Sequence, residues 1–432
     1  MLQEFVPFLD KNNYQIVCFF EFFLTKDDFS ANYKEIESAL HISSYKLHDL
    51  ISDAYSLCKK IENVSFCDKH HRLTFTGLDT VTLKKIILHE ARLSMRFKIF
   101  VHDLLNPQCV SDKAFQQQEG ISRATYFRIR NSLNQDLGTD LIDEITTNEV
   151  ACRFYIFSVL YYFSYLDFPN AEVKKHMIAT INRVILIAHL SPTNSQHRQY
   201  LYFGFVNFCR EKIQFHSLNT ADKYLAKTKI TPDIKVLREY LSKTWQLTAK
   251  RSLWYVRLIL TFILATTGTS AKMTALVYGY DRVEKLTNKQ LTIIHDFLQR
   301  GLPTREEQQL RTRLTNINLK ILVPFFFNNS YQSSTNHKYY ADSYSTVDKL
   351  AKLLVECRQK CQVDRAIDRA EKEQLYYSYL FVLLTEIPRS CFLNAIHIAV
   401  DFSQGPEYTN YIMEKITEFA FLNIKIDNFI TA

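Results

Sequence analysis

Residues 111–137 read SDKAFQQQEGISRATYFRIRNSLNQDL, and this stretch decides the fold of the first third of the chain. Gly120 supplies a turn, and Ser122 is placed to cap the helix that follows, because a Ser side chain accepts the free backbone N–H groups of a helix start. That helix has apolar residues at helical spacing. They are Tyr126, Ile129 and Leu133. The stretch therefore predicts two helices joined by a tight turn.

The same pattern occurs once earlier, in ANYKEIESALHISSYKLHDLI at residues 31–51. Both copies have an Ile-Ser pair before the second helix, and the inward residues follow that Ser at offsets +4, +7 and +11. In the earlier copy Ser43 is the predicted cap. The inward positions are Leu47, Leu50 and Ala54. Matched offsets predict two copies of one helix-turn-helix unit.

The outward face of the later copy predicts DNA binding. A helix-turn-helix inserts the start of its second helix into the major groove, where Arg pairs with guanine or phosphate and Asn pairs with adenine. Residues 121–135 contain three Arg and no acidic residue. The predicted DNA contacts are Ser122, Arg123, Ala124, Thr125, Phe127, Arg128, Arg130 and Asn131. We expect base contacts from Arg123, Ala124 and Phe127 and phosphate contacts from Arg128 or Arg130.

The earlier copy is less basic, and a β-hairpin is predicted beside it. Residues 64–77 alternate apolar and polar side chains around a polar, basic tip, which is typical of a hairpin wing. The predicted DNA contacts of this copy are Ser44, Tyr45, Lys46, His48, Lys69 and Arg72. The hairpin tip, residues 69–72, is expected to reach phosphate or the minor groove. For its adjacent His70 and His71 the alternative is that they are solvated and contact no DNA. For either copy the alternative is an amphipathic helix without a DNA ligand.

Composition favours a mainly helical globular protein. The chain is 47% hydrophobic and 23% charged, and it contains only 8 Gly and 9 Pro in 432 residues. Its formal net charge is +8, but residues 1–145 sum to −3, so only the local Arg cluster supports DNA binding. The longest apolar run, LILTFILATTGTSA, is too short to span a bilayer, and no signal peptide is visible. A cytoplasmic location is therefore expected.

With both copies placed, the layout resembles the Mga/AtxA family of virulence regulators of Gram-positive bacteria. The resemblance rests on the two stretches quoted above and on TTNEVACRFYIFSVLYYF at 146–163, with Glu149 and Arg153 at a helix entry. It implies a mainly α fold with tandem (winged) helix-turn-helix domains, two helical bundles like phosphotransferase-regulation domains (PRD), and a short α/β segment like the EIIB phosphotransferase component. The implied boundaries are 1–80 and 81–150 for the helix-turn-helix domains, 151–283 and 284–392 for the bundles, and 393–432 for the EIIB-like β-α-β segment.

The resemblance also implies a function: a homodimeric, DNA-binding transcriptional regulator, expected to be an activator. Histidines of PRD-type bundles accept phosphate from the HPr carrier protein, and phosphorylation adds charge that can reorder a surface. The candidates here are His189, His197 and His337, which lie in or beside polar loops. The loop at 401–405 lacks the nucleophilic Cys of an EIIB enzyme. We therefore expect this segment to serve dimerisation.

Other classes of function remain as alternatives. An RNA-binding antiterminator carries similar regulatory bundles, but it begins with a β-rich RNA module. An enzyme is not expected, because no Gly-rich phosphate loop or catalytic triad is visible. Cys357 and Cys361 lie four residues apart without a second ligand pair, which favours ordinary thiols over a zinc site. No cofactor and no metal are expected.

Overall fold

The structure is a computed structural model. It describes residues 3–61, 64–106, 109–212, 223, 225–266, 276–299, 301–323, 343–362, 366–388, 396–400, 406–418 and 424–428. Most of these residues are helical, which confirms the mainly α class. The chain divides into two compact units: the first contains the described residues of 1–223 and 237–252, and the second those of 224–236 and from 253 onward. The two units do not test the five implied domain ranges, which stay predictions.

The helices and strands are as follows. Up to residue 212 the helices are α1 (Lys11–Leu24), α2 (Tyr33–Leu40), α3 (Ser44–Cys58), α4 (Thr80–Leu93), α5 (Met95–Leu104), α6 (Asp112–Gln118), α7 (Arg123–Leu137), α8 (Thr139–Thr147), α9 (Glu149–Tyr162), α10 (Ala171–Ile187) and α11 (Asn194–Lys212). Beyond them lie α12 (Pro232–Thr244), α13 (Ala249–Thr266), α14 (Tyr280–Leu298), α15 (Thr304–Asn318), α16 (Ser345–Cys361), α17 (Arg369–Glu386) and α18 (Pro406–Glu418). The strands are β1 (Ser30–Asn32), β2 (Ser65–Lys69), β3 (Arg72–Thr76), β4 (Ile396–Val400) and β5 (Ile424–Asn428). Short 3-10 helices cover Gln3–Phe8 and Leu319–Leu322.

The predicted hairpin is confirmed, and it belongs to a three-stranded antiparallel sheet of order β1-β3-β2. Its tip is a two-residue loop, His70-His71, with φ of 52° and 57°. Two-residue hairpin loops need such positive φ values because they match the strand twist, and His tolerates them better than most residues. Strand β1 was not predicted, since three residues are too few to show alternation. The inner face of the sheet packs Phe75 against Phe23 of α1, with ring centroids 4.7 Å apart.

The two helix-turn-helix copies have matching turns. In α2–α3 the N–H of Ile42 donates to the carbonyl of Glu37 at 3.1 Å, and in α6–α7 the N–H of Ile121 donates to Gln116 at 3.0 Å. Such bonds, from an N–H back to the carbonyl five residues earlier at a helix end, need a left-handed residue directly before the donor. Gly120 takes that position with φ +66°, and His41 takes it in the earlier copy with φ +51°. The predicted repeat is therefore also a repeat of backbone geometry.

A buried cluster of charges fixes the start of α9. Glu149, Arg153 and Arg210 are 8%, 1% and 4% exposed. Arg153 Nε donates to Glu149 Oε1 at 2.6 Å, and Arg210 Nη2 donates to Oε2 at 2.5 Å. Arg210 Nη1 also donates to the carbonyl of Leu104, the last residue of α5, at 2.8 Å. The Glu149 carboxylate thus joins α9 to α11. Arg210 also bonds to α5, which is the helix on which α7 packs.

The second unit has its core between α14, α15, α16 and α17, with Leu350, Leu354 and Leu380 fully buried. Its polar centre is Asn318, which donates to Gln290 Oε1 at 2.7 Å and accepts from the Tyr379 hydroxyl at 2.8 Å. At the end of the chain, β4 and β5 are parallel with α18 between them, which confirms the predicted β-α-β order.

Two helices of the second unit have distinct starts. α14 begins at Tyr280, directly after Gly279 in the left-handed region at φ +83°. α17 begins at Arg369. Asp368 is its cap and accepts from the N–H of Glu371 at 2.7 Å, so Asp368 and Glu371 form the Asp-x-x-Glu sequence that is typical of a helix start.

Candidate nucleic-acid interface

The first turns of α7 carry the exposed side chains of the candidate site. Ser122 Oγ accepts from the N–H of Thr125 at 3.1 Å and lies 3.0 Å from its hydroxyl, so both hydroxyls are used in the helix cap. The guanidinium of Arg123 lies 5.6 Å from the centroid of the Phe127 ring. This contact holds the cation against an exposed aromatic face. The other exposed positions of this face are Ala124, Arg128 and Asn131.

Arg130 departs from the expectation. Its Nε lies 2.8 Å from Asp103 Oδ2 of α5, and the Tyr126 hydroxyl donates to the other oxygen of the same carboxylate. Burial raises the pKa of Asp103, while the Tyr126 hydroxyl and the positive charge of Arg130 act in the opposite direction. Arg130 therefore holds α7 on α5 through a side chain that is 43% exposed, and its phosphate contact stays a prediction.

Arg96 of α5 holds the far end of α7. Arg96 Nη1 donates to Asp136 Oδ2 at 2.6 Å, and Arg96 Nη2 donates to Ser132 Oγ at 2.7 Å. The ion pair neutralises the acid that follows the Arg cluster of α7. The sequence did not indicate Arg96 or Asp103, because each is more than twenty residues from its partner on α7.

The earlier copy presents a different surface. Tyr45 is 78% exposed and Ser44 is exposed, but Lys46 Nζ donates to Asn12 Oδ1 at 3.3 Å. The ring of His48 packs edge-on against Tyr33, with centroids 5.7 Å apart. Asp49 stands at the offset that Arg128 occupies in α7. The exposed face of α3 is therefore expected to attract a polyanion less strongly than that of α7.

The hairpin tip carries two cations, Lys69 and Arg72, and the second of them is ion-paired. Lys69 is exposed beside the two-residue loop. Arg72 is exposed and ion-paired: its Nη2 lies 3.0 Å from Asp28 Oδ2, and its Nε donates to Ser30 Oγ at 2.6 Å. Its DNA contact stays a prediction, and such a contact would have to compete with this surface ion pair.

The candidate phosphorylation sites lie around the loop between α10 and α11. His189 is exposed and left-handed at φ +51°, just after the end of α10. His197 is half-buried in the first turn of α11, with Nε2 3.4 Å from Asn182 Oδ1. His337 lies outside the described residues. The two histidines are thus accessible to different degrees.

In comparisons with known proteins, no protein-family model matches this sequence and no curated protein is similar to it. The resemblance to the Mga/AtxA family therefore stays a prediction. Within the described ranges, no helix combines the length and the apolar character that crossing a membrane requires. The same part of the chain contains no group of three or more His, Cys, Asp or Glu side chains suited to hold a metal ion.

Proposed function

We propose that this protein is a transcriptional regulator of the Mga/AtxA type that binds duplex DNA through α7. One observation carries the proposal: Arg123, Arg128 and Asn131 are exposed on the first turns of a capped helix that follows a tight turn. This is the arrangement by which a recognition helix places its N-terminal side chains in the major groove. The ion pairs of Arg96 and Arg130 support it, since they fix the orientation of α7.

The side chains of α7 divide by the type of contact they suit. Arg123 lies at the helix start beside Phe127, where a guanidinium can reach a guanine edge and the ring can contact a thymine methyl group. Arg128 is one turn further along and suits a phosphate. In the earlier copy Asp49 opposes a phosphate contact, so Lys69 of the hairpin is its main cationic contribution. DNA binding is thus expected to be asymmetric between the two copies.

The first test is the salt dependence of duplex binding. If a homodimer presents two sets of Arg128 and Lys69, about four phosphates are neutralised, and affinity is expected to fall about a hundredfold between 50 and 200 mM salt. Fluorescence anisotropy with a labelled mixed-sequence duplex measures this. A flat salt response contradicts the proposal. Tighter binding to an RNA stem-loop than to the duplex favours the antiterminator alternative instead.

We further propose that His189 and His197 accept phosphate from HPr, by analogy with the regulatory bundles of the family. Phosphate adds nearly two negative charges to a loop that joins two helices, which can shift a dimer equilibrium. After incubation with phosphorylated HPr, mass spectrometry is expected to place phosphate on one of these two residues. His189→Ala should remove the label or confine it to His197, whereas His70→Ala on the hairpin should leave it unchanged. Absence of the label contradicts this regulation and leaves the DNA proposal intact.

A further inference from the structure

A cavity of about 460 Å³ lies within the first unit, beside the α6–α7 pair. Its walls come from α5, from α6, from the end of α4 and from residues 165 and 167 after α9. Cavities of this size hold small organic ligands. Gln118 and Glu119, which immediately precede Gly120, line it. A ligand here would therefore touch the turn that sets the direction of α7.

The floor of the cavity is apolar. Phe97, Val101 and Phe115 line it and are 1%, 7% and 7% exposed. The imidazole of His102 stacks on the Phe115 ring at 4.2 Å with an interplanar angle of 12°. This surface suits the aliphatic or aromatic part of a small molecule, since burying apolar surface drives such contacts.

The polar groups of the cavity fall into two classes. Lys98 and Glu119 neutralise each other at 2.6 Å, and His102 Nε2 lies 3.0 Å from Asp112 Oδ1. Arg92 and Asp167 line the same cavity and are both exposed, and the ion pairs found within the described ranges include neither of them. Asp167 is a hydrogen-bond partner of the Tyr165 hydroxyl, and its charge, like that of Arg92, is not neutralised by an ion pair within those ranges.

These two groups flank one aromatic ring. The guanidinium of Arg92 lies 5.8 Å from the centroid of the Tyr165 ring. The pKa of Tyr165 is raised to about 12, chiefly by burial and by the negative charge of Asp167, which is also a hydrogen-bond partner of its hydroxyl; the charge of Arg92 acts in the opposite direction. One positive and one negative group thus interact with the same Tyr side chain.

We propose that this cavity binds a free α-amino acid with an apolar or aromatic side chain. Its carboxylate pairs with Arg92, its ammonium group pairs with Asp167, and its side chain contacts Phe97 and Phe115. The lining has no excess of either sign, which favours a zwitterion over a simple anion or cation. Binding itself does not depend on DNA recognition; its expected influence on α7 rests on the proposed function.

Isothermal titration calorimetry of the full chain tests the site, with phenylalanine, leucine and tryptophan as probes. We expect saturable binding of at least one of them. 3-Phenylpropanoate, which lacks the ammonium group, and 2-phenylethylamine, which lacks the carboxylate, should bind about tenfold more weakly or worse than phenylalanine, because each loses a charge-assisted hydrogen bond. The proposal is overturned if none of the three amino acids binds, or if the singly charged analogues bind equally well.

Matched variants separate the site from general charge effects. Arg92→Gln and Asp167→Asn should each weaken amino-acid binding about tenfold, whereas Arg183→Gln and Asp143→Asn, at exposed positions away from the cavity, should not. Equal binding by all four variants overturns the site. Anisotropy with the labelled duplex is measured in parallel. A chain that binds duplex but no amino acid overturns this inference alone, and a chain that binds amino acid but no duplex overturns the proposed function alone.

Discussion

Replacing Glu149 with Gln is expected to lower the free energy of unfolding of the first unit by about 3–5 kcal/mol. The carboxylate accepts from Arg153 at 2.6 Å and from Arg210 at 2.5 Å, and all three residues are buried. An amide keeps the shape of the side chain but removes the only negative charge among these three residues. Two guanidinium groups then remain close together in the interior, and that cost cannot be recovered by solvation.

Urea denaturation followed by circular dichroism measures this loss. Glu144→Gln is the matched control, because Glu144 is an exposed Glu on the preceding helix and its replacement should change stability by less than about 0.5 kcal/mol. Hydrogen exchange adds a second readout. Since Arg210 donates to the Leu104 carbonyl, amides at the end of α5 should exchange faster in Glu149→Gln than in the control. Equal stability of the two variants would show that the charge cluster is not a structural requirement.

Local signals explain why so much of the fold was predictable. Ser43 and Ser122 each accept a backbone N–H in the first turn of the next helix, and Gly120 adopts the positive φ that its position between two helices requires. Each of these features depends on fewer than six consecutive residues. The strand β1 was missed because it exists only through its pairing with β3, whose partner residues lie about forty positions later.

The candidate site was predictable in position but not in detail. Helical periodicity from Ser122 predicted exposed side chains on α7, and Arg123, Phe127, Arg128 and Asn131 are exposed, whereas Thr125 and Arg130 are half-buried. The ion pairs of Arg130 and Arg72 were not predicted because their partners, Asp103 and Asp28, are distant in the sequence. An Arg on a helix or hairpin surface looks available for a ligand until tertiary structure supplies a carboxylate. The spacing of Glu149 and Arg153 was visible, but the addition of Arg210, 61 residues away, was not.

Combining Arg123→Ala with Arg128→Ala is expected to weaken duplex binding at least about a hundredfold while the protein stays folded. Loss of a bidentate base contact costs about 1–3 kcal/mol, and loss of a phosphate contact weakens binding to every sequence in addition. Both side chains are exposed, and the contact of Arg123 with Phe127 is the one interaction the structure records for either among the described residues, so the circular dichroism spectrum should not change. Fluorescence anisotropy at constant salt measures the affinity.

A charge-matched control tests whether the weaker duplex binding comes from the lost net positive charge alone. Lys174→Ala with Lys175→Ala removes two exposed cations from α10 and should leave duplex affinity within about twofold, since α10 belongs to neither helix-turn-helix copy. If this control weakens binding as much as the α7 variant, binding is non-specific and α7 is not the recognition helix.

Single substitutions in α7 should have different effects on sequence discrimination, affinity and stability. These differences test which residues contact bases and which contact phosphate. Arg123→Ala should reduce discrimination between duplex sequences, whereas Arg128→Ala should weaken all sequences alike and lower the salt slope by about one. Arg130→Ala should act on stability, because it leaves Asp103 partly buried with only the Tyr126 hydroxyl as a partner. If Arg130→Ala reduces affinity as Arg128→Ala does and leaves the unfolding transition unchanged, then Arg130 exchanges Asp103 for phosphate on binding. The ion pair seen in the structure would then describe only the protein without DNA.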